Sequence, residues 1–269
     1  MQSVVHRLSS VVGQMKLGSA LGLTRGDVVA FVGGGGKTTA MFRLAAEIVG
    51  QGGRVITTTT TRIFAAQIRL APVHVQSLPS LSAALSGAPH VLITGQVDAV
   101  EGKAFGVAPS LISDLRALTS NLQPPTSILV EADGSRMRPF KAPADHEPVI
   151  PKETTIVVPV VGIDIIGRPL TAEYVHRPEL IEALAPIRLG QIITPEIVAA
   201  VIAHPMGGRK NVPTGARVIA LINKVESDGE LAAARKIAEL LIGQAGIDGV
   251  AIGAVGRDGE AIVQTFYRE

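Results

Sequence analysis

Short apolar runs and longer amphipathic stretches alternate along the whole chain. The longer stretches carry apolar residues at helical spacing, as Met41, Leu44 and Ile48 show. Short runs that are apolar throughout are typical of strands that helices cover on both faces. We therefore predict an α/β fold, with a doubly wound, mostly parallel sheet in a three-layer α/β/α arrangement. The predicted strands include residues 28–32, 54–61, 91–94, 128–131, 154–161, 218–222 and 250–255.

We predict that the chain forms one domain over residues 1–269. This length is large for a single domain but within the range of α/β domains. Residues 1–26 predict one or two short helices, broken at Gly18, Gly22 and Gly26, that cover an edge of the sheet. Within the domain, we expect the segment 134–213 to carry the loops that bind a substrate or a partner.

A glycine-rich stretch joins the first predicted strand to a helix that begins near Lys37. Glycine lets a backbone take positive φ and approach a ligand closely, and the N–H groups at a helix N-terminus bind anions. We predict a phosphate-binding loop, or P-loop, in which Gly34–Gly36 donate N–H groups, Lys37 contacts the β- or γ-phosphate and the Thr38 hydroxyl binds Mg²⁺. The predicted nucleotide-binding residues of this stretch are Gly33, Gly34, Gly35, Gly36, Lys37, Thr38 and Thr39.

The spacing of this loop departs from the most common one. The pattern G-x-x-x-x-G-K-[ST] would require its first glycine where Phe31 stands. The shorter pattern G-x-x-G-K-T fits from Gly33 to Thr38 and resembles the loop of the Mur-type ligases, which bind ATP. A glycine-rich hairpin followed by chance by Lys-Thr is the alternative interpretation.

The predicted strand at residues 128–131 ends in acidic residues, Glu131 and Asp133. An apolar strand that ends in a carboxylate is typical of a Walker B element, whose acid holds Mg²⁺ opposite the phosphate loop. Residues two apart in a strand point to the same face. We therefore predict that Glu131, Asp133 or both are metal ligands.

Five consecutive threonines, residues 57–61, end the strand at 54–61. The β-propensity of threonine explains such a run without any function. If this strand lies beside the phosphate-loop strand, however, its carboxyl end faces the ligand. Thr59 and Thr60 then become candidates to contact Mg²⁺ or the γ-phosphate, Thr59 as a metal ligand, and Arg62 follows closely.

The segment that follows Gly134 is polar, proline-rich and without periodicity, as expected of a solvated loop. Because it leaves directly from the predicted metal carboxylates, we predict that Arg136, Arg138 or Lys141 contacts the transferred phosphoryl group or a second anionic substrate. The cluster Asp145-His146-Glu147 predicts a surface turn, with acid–base chemistry as the alternative. We expect His176 and His204 to be core histidines.

The strand at residues 218–222 leads into Asn223-Lys224-Val225-Glu226. This sequence is close to the N-K-x-D element with which GTP-binding proteins recognise guanine. Here a glutamate, one methylene longer, stands in place of the aspartate. Asn223, Lys224 and Glu226 are therefore candidate base-binding residues, and a structural Asn-Lys pair is the alternative.

The composition excludes several kinds of chemistry. The chain contains no Cys, so it forms no disulfide, thiolate zinc site or Fe–S cluster. Its net charge of +2 gives no reason to expect a nucleic-acid surface. We find neither a signal-peptide core nor an apolar run of the ~18 residues that a membrane helix needs. We therefore expect a cytoplasmic protein that binds neither nucleic acid nor membrane.

Taken together, these motifs resemble those of the YqeC family, described as accessory proteins for selenium-dependent molybdenum hydroxylases. The resemblance covers residues 16–255. Within that range it rests on the motifs above and also on residues 141–148, 176–179 and 193–196. It implies a nucleotide-binding protein in the maturation of a selenium cofactor, with a molybdenum hydroxylase or its cofactor enzymes as partner. Since the chain has no Cys, selenium cannot be carried on a cysteine side chain.

We predict that the protein binds a nucleoside triphosphate, ATP or GTP, with Mg²⁺ and acts as an NTPase or phosphotransferase. Lys37 and one of Arg136, Arg138 and Lys141 would stabilise charge in the transition state. Two alternatives stay open. The Asn223-Lys224 pair favours a non-catalytic, nucleotide-gated chaperone or switch, and the loop spacing favours a Mur-like ATP-dependent ligase or an adenylyl transferase.

Overall fold

The computed structural model describes residues 8–268 and contains a large sheet, two small sheets and helices on both faces of the large one. The strands, in chain order, are β1 Leu8–Met15, β2 Val28–Gly33, β3 Arg54–Thr59, β4 Ile63–Phe64, β5 His74–Val75, β6 His90–Ile93, β7 Val97–Asp98, β8 Lys103–Ala104, β9 Thr126–Glu131, β10 Phe140–Lys141, β11 Ile156–Gly162, β12 Val175–His176, β13 Arg217–Asn223, β14 Gly249–Gly253 and β15 Ile262–Arg268. The α-helices are α1 Leu17–Ala20, α2 Lys37–Gly50, α3 Leu78–Leu85, α4 Leu111–Thr119, α5 Pro178–Ile181, α6 Pro195–Ala203 and α7 Asp228–Ile242. Short 3-10 helices lie at Ala65–Leu70 and Ile163–Ile165.

The large sheet has ten strands in the order β1-β15-β14-β13-β11-β2-β9-β3-β6-β5. The eight strands from β14 to β5 are parallel, and β15 and β1 add antiparallel pairs at one end. This arrangement confirms the predicted α/β fold with a doubly wound, mostly parallel sheet.

Helices bury both faces of the sheet, because successive residues of each strand point to opposite sides. Along β2, Val29 and Phe31 pack in one cluster with residues of α1 and α2. Val28 and Ala30 pack on the other face with residues of α3 and α4. Helices α5, α6 and α7 cover that second face where β13 and β14 pass beneath them. The result is the predicted three-layer arrangement.

The middle of the sheet, at β2, is where the chain changes direction. From β2 the chain goes to β3 and β6 on one side, and it later crosses to β11 and β13 on the other. Ligands of open α/β sheets bind at such a point, outside the carboxyl ends of the strands. The neighbours of β2 are β9 and β11, so the expectation that the threonine strand β3 lies beside it is wrong. The acidic strand β9 takes that place.

The N-terminal region differs from its prediction. Residues 8–15 form an antiparallel edge strand on β15 instead of a helix, and α1 is a single helical turn. Residues 1–7 of that prediction lie outside the described residues. The carboxyl-terminal strand β15 consequently lies second from the edge.

Two small sheets stand at the carboxyl edge of the large one. A three-stranded antiparallel sheet has the order β4-β8-β7, and a parallel pair joins β10 to β12. Within residues 8–268, no helix is long and apolar enough to span a membrane.

Candidate functional site

The glycine loop between β2 and α2 packs tightly against its neighbours. Gly33, Gly35 and Gly36 take φ values of 90°, 76° and 117°. A Cβ on Gly35 would overlap the backbone of Gly162 at the end of β11, and one on Gly36 would come to 2.5 Å from the Asn223 amide nitrogen. Glycine is therefore required at both positions by conformation and by space.

The N–H groups of the loop are not all available to a ligand. The N–H of Gly33 donates to the Asp133 carboxylate at 3.1 Å, that of Gly34 to the Val160 carbonyl at 2.9 Å and that of Gly35 to the Arg138 carbonyl at 3.0 Å. The expectation that Gly34 and Gly35 donate to phosphate therefore needs correction. No acceptor among residues 8–268 is recorded for the N–H groups of residues 36–39, which open α2. These four groups form the anion-binding end of the loop.

The predicted loop lysine and the two predicted acids meet directly above this loop. The Lys37 ammonium lies 2.6 Å from the Gly33 carbonyl, 3.3 Å from Asp133 and 3.8 Å from Glu131. The Thr38 hydroxyl donates to the Glu131 carboxylate at 2.7 Å. Burial raises the pKa of Glu131, against the opposing effects of Lys37 and Thr38. Two motifs 93 residues apart in sequence thus share one contact.

The oxygen donors at this contact fit a magnesium ion. Mg²⁺ is held through one or two carboxylates together with hydroxyl, water and phosphate oxygens. No group of three or more His, Asp or Glu side chains that could hold a metal unaided occurs within residues 8–268. Thr38 and Glu131 would therefore hold the ion jointly with phosphate oxygens.

Thr59 is placed differently from its prediction. Its hydroxyl donates to the backbone carbonyls of Glu131 and Thr61 at 3.0 and 3.2 Å and accepts from the Thr61 N–H. The residue is fully buried and does not line the cavity over the loop. We attribute to Thr59 a structural role in fixing the end of β3 against β9.

Alternating charges extend from the loop lysine through the segment after β9. Asp133, which contacts Lys37, lies 3.0 Å from the Lys141 ammonium, and Lys141 lies 2.7 Å from Glu147. Glu147 in turn accepts from the Arg177 guanidinium at 2.6 Å. We call Lys37, Asp133, Lys141, Glu147 and Arg177 the charge row.

The charge row explains three predicted residues. The Lys141 side chain is 1% exposed and also donates to the Gly134 carbonyl, so it is a buried structural cation and not a free phosphate ligand. Burial would raise the pKa of Glu147, but hydrogen bonds and charges from Arg177 and Lys141 hold it at about 2. Glu147 is therefore an ion-pair partner, while His146 beside it is exposed, as expected of a surface turn.

A cavity of about 870 Å³ opens over the loop. Of the predicted residues, those lining it are Gly35, Gly36, Lys37, Thr38, Thr39, Glu131, Arg136 and Lys224. Those outside the lining are Gly33, Gly34, Thr59, Asp133, Arg138, Lys141, Asn223 and Glu226. Arg138 contributes only its carbonyl to the loop, as described above.

The cavity also contains residues that the sequence did not single out. They include Phe64, Gln67, Lys103 and Arg177, and also His176, which we expected in the core. Gln67 donates to the Thr38 hydroxyl at 3.2 Å. Phe64 and Lys103 come from the small β4-β8-β7 sheet, where the Lys103 ammonium lies 3.1 Å from the centre of the Phe64 ring.

Asn223 and Lys224 meet the loop from the end of β13. The Asn223 amide donates to the Gly35 carbonyl at 2.8 Å, and its oxygen accepts from the Val255 N–H at 3.0 Å. Lys224 pairs with Asp164 at 2.7 Å. Glu226 lies beside Arg257, at 3.6 Å, on the surface. Asn223 thus stabilises the loop, and Glu226 does not reach the cavity.

Comparison with known proteins identifies the family. The model of the family described as "YqeC protein" matches residues 29–179. A protein of Escherichia coli (strain K12) described as "Uncharacterized protein YqeC" is 34% identical over 209 residues, which cover 74% of this chain and 77% of that protein. The chain belongs to the YqeC family.

The match to the YqeC family covers most of the site. Residues 29–179 include the glycine loop, both acids and the whole charge row, whereas Asn223, Lys224 and Glu226 lie beyond that range. The segment that matches the family model therefore contains the glycine loop at the cavity floor and the wall that carries Arg177.

Solved structures resemble this YqeC protein only weakly. The signal recognition particle receptor FtsY from Elizabethkingia anophelis aligns with a TM-score of 0.39 at 15% identity, over 88% of this chain and 62% of that one. The chloroplast FtsY from Physcomitrella patens aligns with a TM-score of 0.31 at 14% identity, over 89% of this chain and 53% of that one. The chain thus spans less than two thirds of either receptor, and we draw no functional conclusion from these alignments.

Proposed function

We propose that this YqeC protein binds a nucleoside triphosphate with Mg²⁺ and acts as an NTPase or a phosphotransferase. The observation that carries the proposal is the 2.7 Å contact between the Thr38 hydroxyl and the Glu131 carboxylate, beside Lys37 and at the open N-terminus of α2. A hydroxyl, a carboxylate and an ammonium group at the start of a helix are the groups that a Mg²⁺–triphosphate requires.

Each group has a role that follows from its position. The N–H groups of residues 36–39 bind the phosphates, and Lys37 leaves the Gly33 carbonyl to contact the β- and γ-phosphates. Thr38 and Glu131 would hold Mg²⁺, and the ion would supply positive charge to the phosphate oxygens. In the reaction a hydroxyl oxygen of water or of an acceptor bonds to the γ-phosphorus while the bond to the β–γ bridging oxygen breaks. The nucleoside diphosphate leaves, and the proton of the attacking hydroxyl passes to an oxygen of the transferred phosphoryl group.

Of the three cations predicted to neutralise the transferred group, the proposal retains Arg136. Its side chain is exposed and lines the cavity, and no ion pair within residues 8–268 engages it. Lys141 is committed to the charge row, and Arg138 lies outside the cavity lining. A guanidinium group with free donors is the better partner for a developing phosphate charge.

The choice between ATP and GTP does not rest on Glu226 in this proposal, because that carboxylate lies beside Arg257 on the surface. Lys224, which lines the cavity, is the residue of the Asn-Lys pair that would contact the base. For the biological setting we propose maturation of a selenium cofactor for molybdenum hydroxylases, a setting that the family resemblance alone supports.

A second candidate function is a nucleotide-gated switch without its own chemical substrate. The charge row favours it, because each of its residues forms an ion pair with the next. A movement of Lys37 on nucleotide binding would therefore alter the ion pairs as far as Arg177. Slow turnover that a partner protein accelerates would favour the switch, whereas fast turnover with a small acceptor would favour the phosphotransferase.

Calorimetric titration with ATP and GTP, with and without Mg²⁺, tests the proposed function. We expect Mg²⁺-dependent binding of at least one nucleotide. Thr38→Val should remove the magnesium dependence and weaken binding of the Mg²⁺ complex about tenfold or more, because it deletes a metal ligand. Thr38→Ser keeps the hydroxyl and is the matched control. Binding that is equal in the wild type and Thr38→Val would contradict the metal site.

A further inference from the structure

One wall of the cavity extends beyond the groups that the proposed triphosphate would contact. Arg177 and His176 line this wall next to Arg136, the cation proposed for the transferred γ-phosphate. The pairing of β10 with β12 places His176 in register with Lys141 and so brings it beside the charge row. The three side chains therefore lie beyond the glycine loop, on segments that neither β2 nor α2 supplies.

Arg177 has N–H donors that its contact with Glu147 does not use. Its guanidinium uses two nitrogens on Glu147, at 2.6 and 3.5 Å, and its side chain is 22% exposed. For the remaining N–H groups, no acceptor is recorded among the described residues. A half-buried guanidinium that is fixed by one carboxylate, with further donors facing a cavity, is an arrangement suited to a second oxyanion.

His176 stands in a positive environment. Burial, together with the charges of Arg177, Lys141 and Arg136, lowers its pKa to about 4 against the opposing effect of Glu147. The imidazole is consequently neutral at physiological pH and can donate one hydrogen bond to an anion. An anion bound here would relieve the repulsion among these cations.

Non-glycine residues with positive φ are concentrated around the same cavity. Five non-glycine residues within residues 8–268 have positive φ, and four of them line this cavity: Arg136, Met137, Arg177 and Lys224. The Met137 side chain is 80% exposed, so its own packing does not explain its conformation. Non-glycine residues held in this region of φ cluster at ligand-binding sites.

We propose that His176 and Arg177, next to Arg136, form a second anion subsite that binds the carboxylate or phosphate group of a small acceptor substrate. The inference rests on the proposed function, since the subsite would hold the acceptor beside the γ-phosphate. The occupant is a small molecule because it would share with the triphosphate one concave cavity of about 870 Å³, a volume within the range of small-molecule sites.

The test uses the protein saturated with Mg²⁺ and a non-hydrolysable triphosphate, so that the glycine loop is filled. Inorganic phosphate and succinate are then titrated separately by calorimetry. We expect one equivalent of at least one probe to bind, and the probe that binds distinguishes a phosphate from a carboxylate acceptor. Binding of neither probe to the loaded wild type would overturn the proposal.

Three variants assign the binding to this wall. Arg177→Lys keeps a positive charge beside Glu147 but loses the planar guanidinium group with its several donors. His176→Asn removes the imidazole, for which no ion pair is recorded within residues 8–268. Each should weaken binding of the probe about tenfold, the loss expected for one good charged hydrogen bond. Arg116→Ala, at an exposed arginine of α4 outside the cavity, is the control. Each variant is first checked for saturation with nucleotide and for cooperative thermal unfolding. Unchanged affinity in both wall variants would overturn the subsite.

Failure of the proposed function would be recognised separately. If no nucleotide binds, the proposed function has failed, and inorganic phosphate and succinate are each titrated into Lys37→Ala, which removes the loop cation. Binding of either probe that persists there and is lost in Lys37→Ala/Arg177→Lys would support the subsite without the nucleotide. Binding of neither probe to Lys37→Ala would overturn the subsite as well.

Discussion

At the scale of single residues, two lysines that are equally buried differ in whether they line the cavity. Lys37 and Lys141 both contact Asp133, and both ammonium groups are almost inaccessible. Lys37 nevertheless lines the cavity, whereas Lys141 is enclosed between Asp133, Glu147 and the Gly134 carbonyl. The same residue type thus faces the cavity in one position and forms buried ion pairs in the other.

Lys37→Ala should abolish turnover without unfolding the protein. Asp133 keeps the Lys141 ammonium at 3.0 Å and the Gly33 N–H, so no buried carboxylate is left alone. We expect turnover to fall about 100-fold or more, the loss typical of removing a preorganised charge from a transition state. Steady-state hydrolysis and a thermal melt measure the two effects. Undiminished hydrolysis in a folded variant would refute the role of Lys37.

The sequence predicted those parts of the candidate site whose residues are close together in the chain. The glycine loop with Lys37 and Thr38, and the acids after β9, each form a local motif, and the structure brings both motifs into contact. Arg177 was missed because only the pairing of β10 with β12 brings it to the cavity. Nothing in the local pattern around Arg177 indicates that pairing.

At the scale of elements, the close packing of the phosphate loop against β11 and β13 fixes its shape. Gly35 takes positive φ against the backbone of Gly162, and the Asn223 amide holds its carbonyl at 2.8 Å. The loop is therefore preorganised by two neighbouring strands. The edge strand β1 shows the opposite case: its sequence lacks regular alternation, and only pairing with the distant β15 makes it a strand. That is why the sequence predicted helices there.

Gly35→Ala should be far more damaging than Gly52→Ala. Both glycines have positive φ, 76° and 71°, but a Cβ on Gly52 meets nothing within 4 Å. We expect Gly52→Ala to cost about 1–2 kcal/mol through conformation alone. Gly35→Ala should cost about 2–5 kcal/mol, because overpacking against β11 adds to that strain.

Urea unfolding of the two glycine variants measures this difference, and nucleotide titration should show lost binding only for Gly35→Ala. Equal free energies of unfolding for the two variants would show that the contact with Gly162 does not constrain the loop.

At the scale of the whole molecule, one ten-stranded sheet carries the loop and the acids, and the small β10-β12 sheet carries the cavity wall. We propose one domain over residues 1–269, and the continuity of the large sheet supports it. The buried titratable groups of the sheet and the wall also make the stability of the molecule depend on pH.

Stability should fall in two overlapping ranges as the pH is lowered. The pKa of His176 is about 4 in the folded protein, so between pH 6.5 and 4 the unfolded chain binds the proton that the folded one excludes. His90, also with a pKa of about 4 through burial, acts in the same direction. The pKa of Glu147 is about 2, so its contribution is complete above pH 4.5 and is lost between pH 4.5 and 2.

Urea midpoints measured from pH 7 to pH 3 check these ranges. His176→Asn should reduce, in part, the change of the urea midpoint with pH between pH 6.5 and 4. Glu147→Gln should lower stability at pH 7 and reduce the change of the midpoint between pH 4.5 and 3. His146→Asn, at an exposed imidazole, is the control. An unchanged profile in His176→Asn would show that this side chain is not excluded from protonation in the folded state.

The charge row has a thermodynamic consequence for the order in which ligands bind. If a bound phosphate draws Lys37 away from Asp133, that carboxylate keeps only the Gly33 N–H and Lys141. The pair of Asp133 with Lys141 should then become stronger, that of Lys141 with Glu147 weaker, and that of Glu147 with Arg177 stronger. Coupling between two sites is reciprocal by necessity. Whichever ligand binds first therefore changes the affinity for the other by the same factor. Both affinities must consequently be measured relative to the protein with no ligand bound, and not relative to the protein that already holds one of the two.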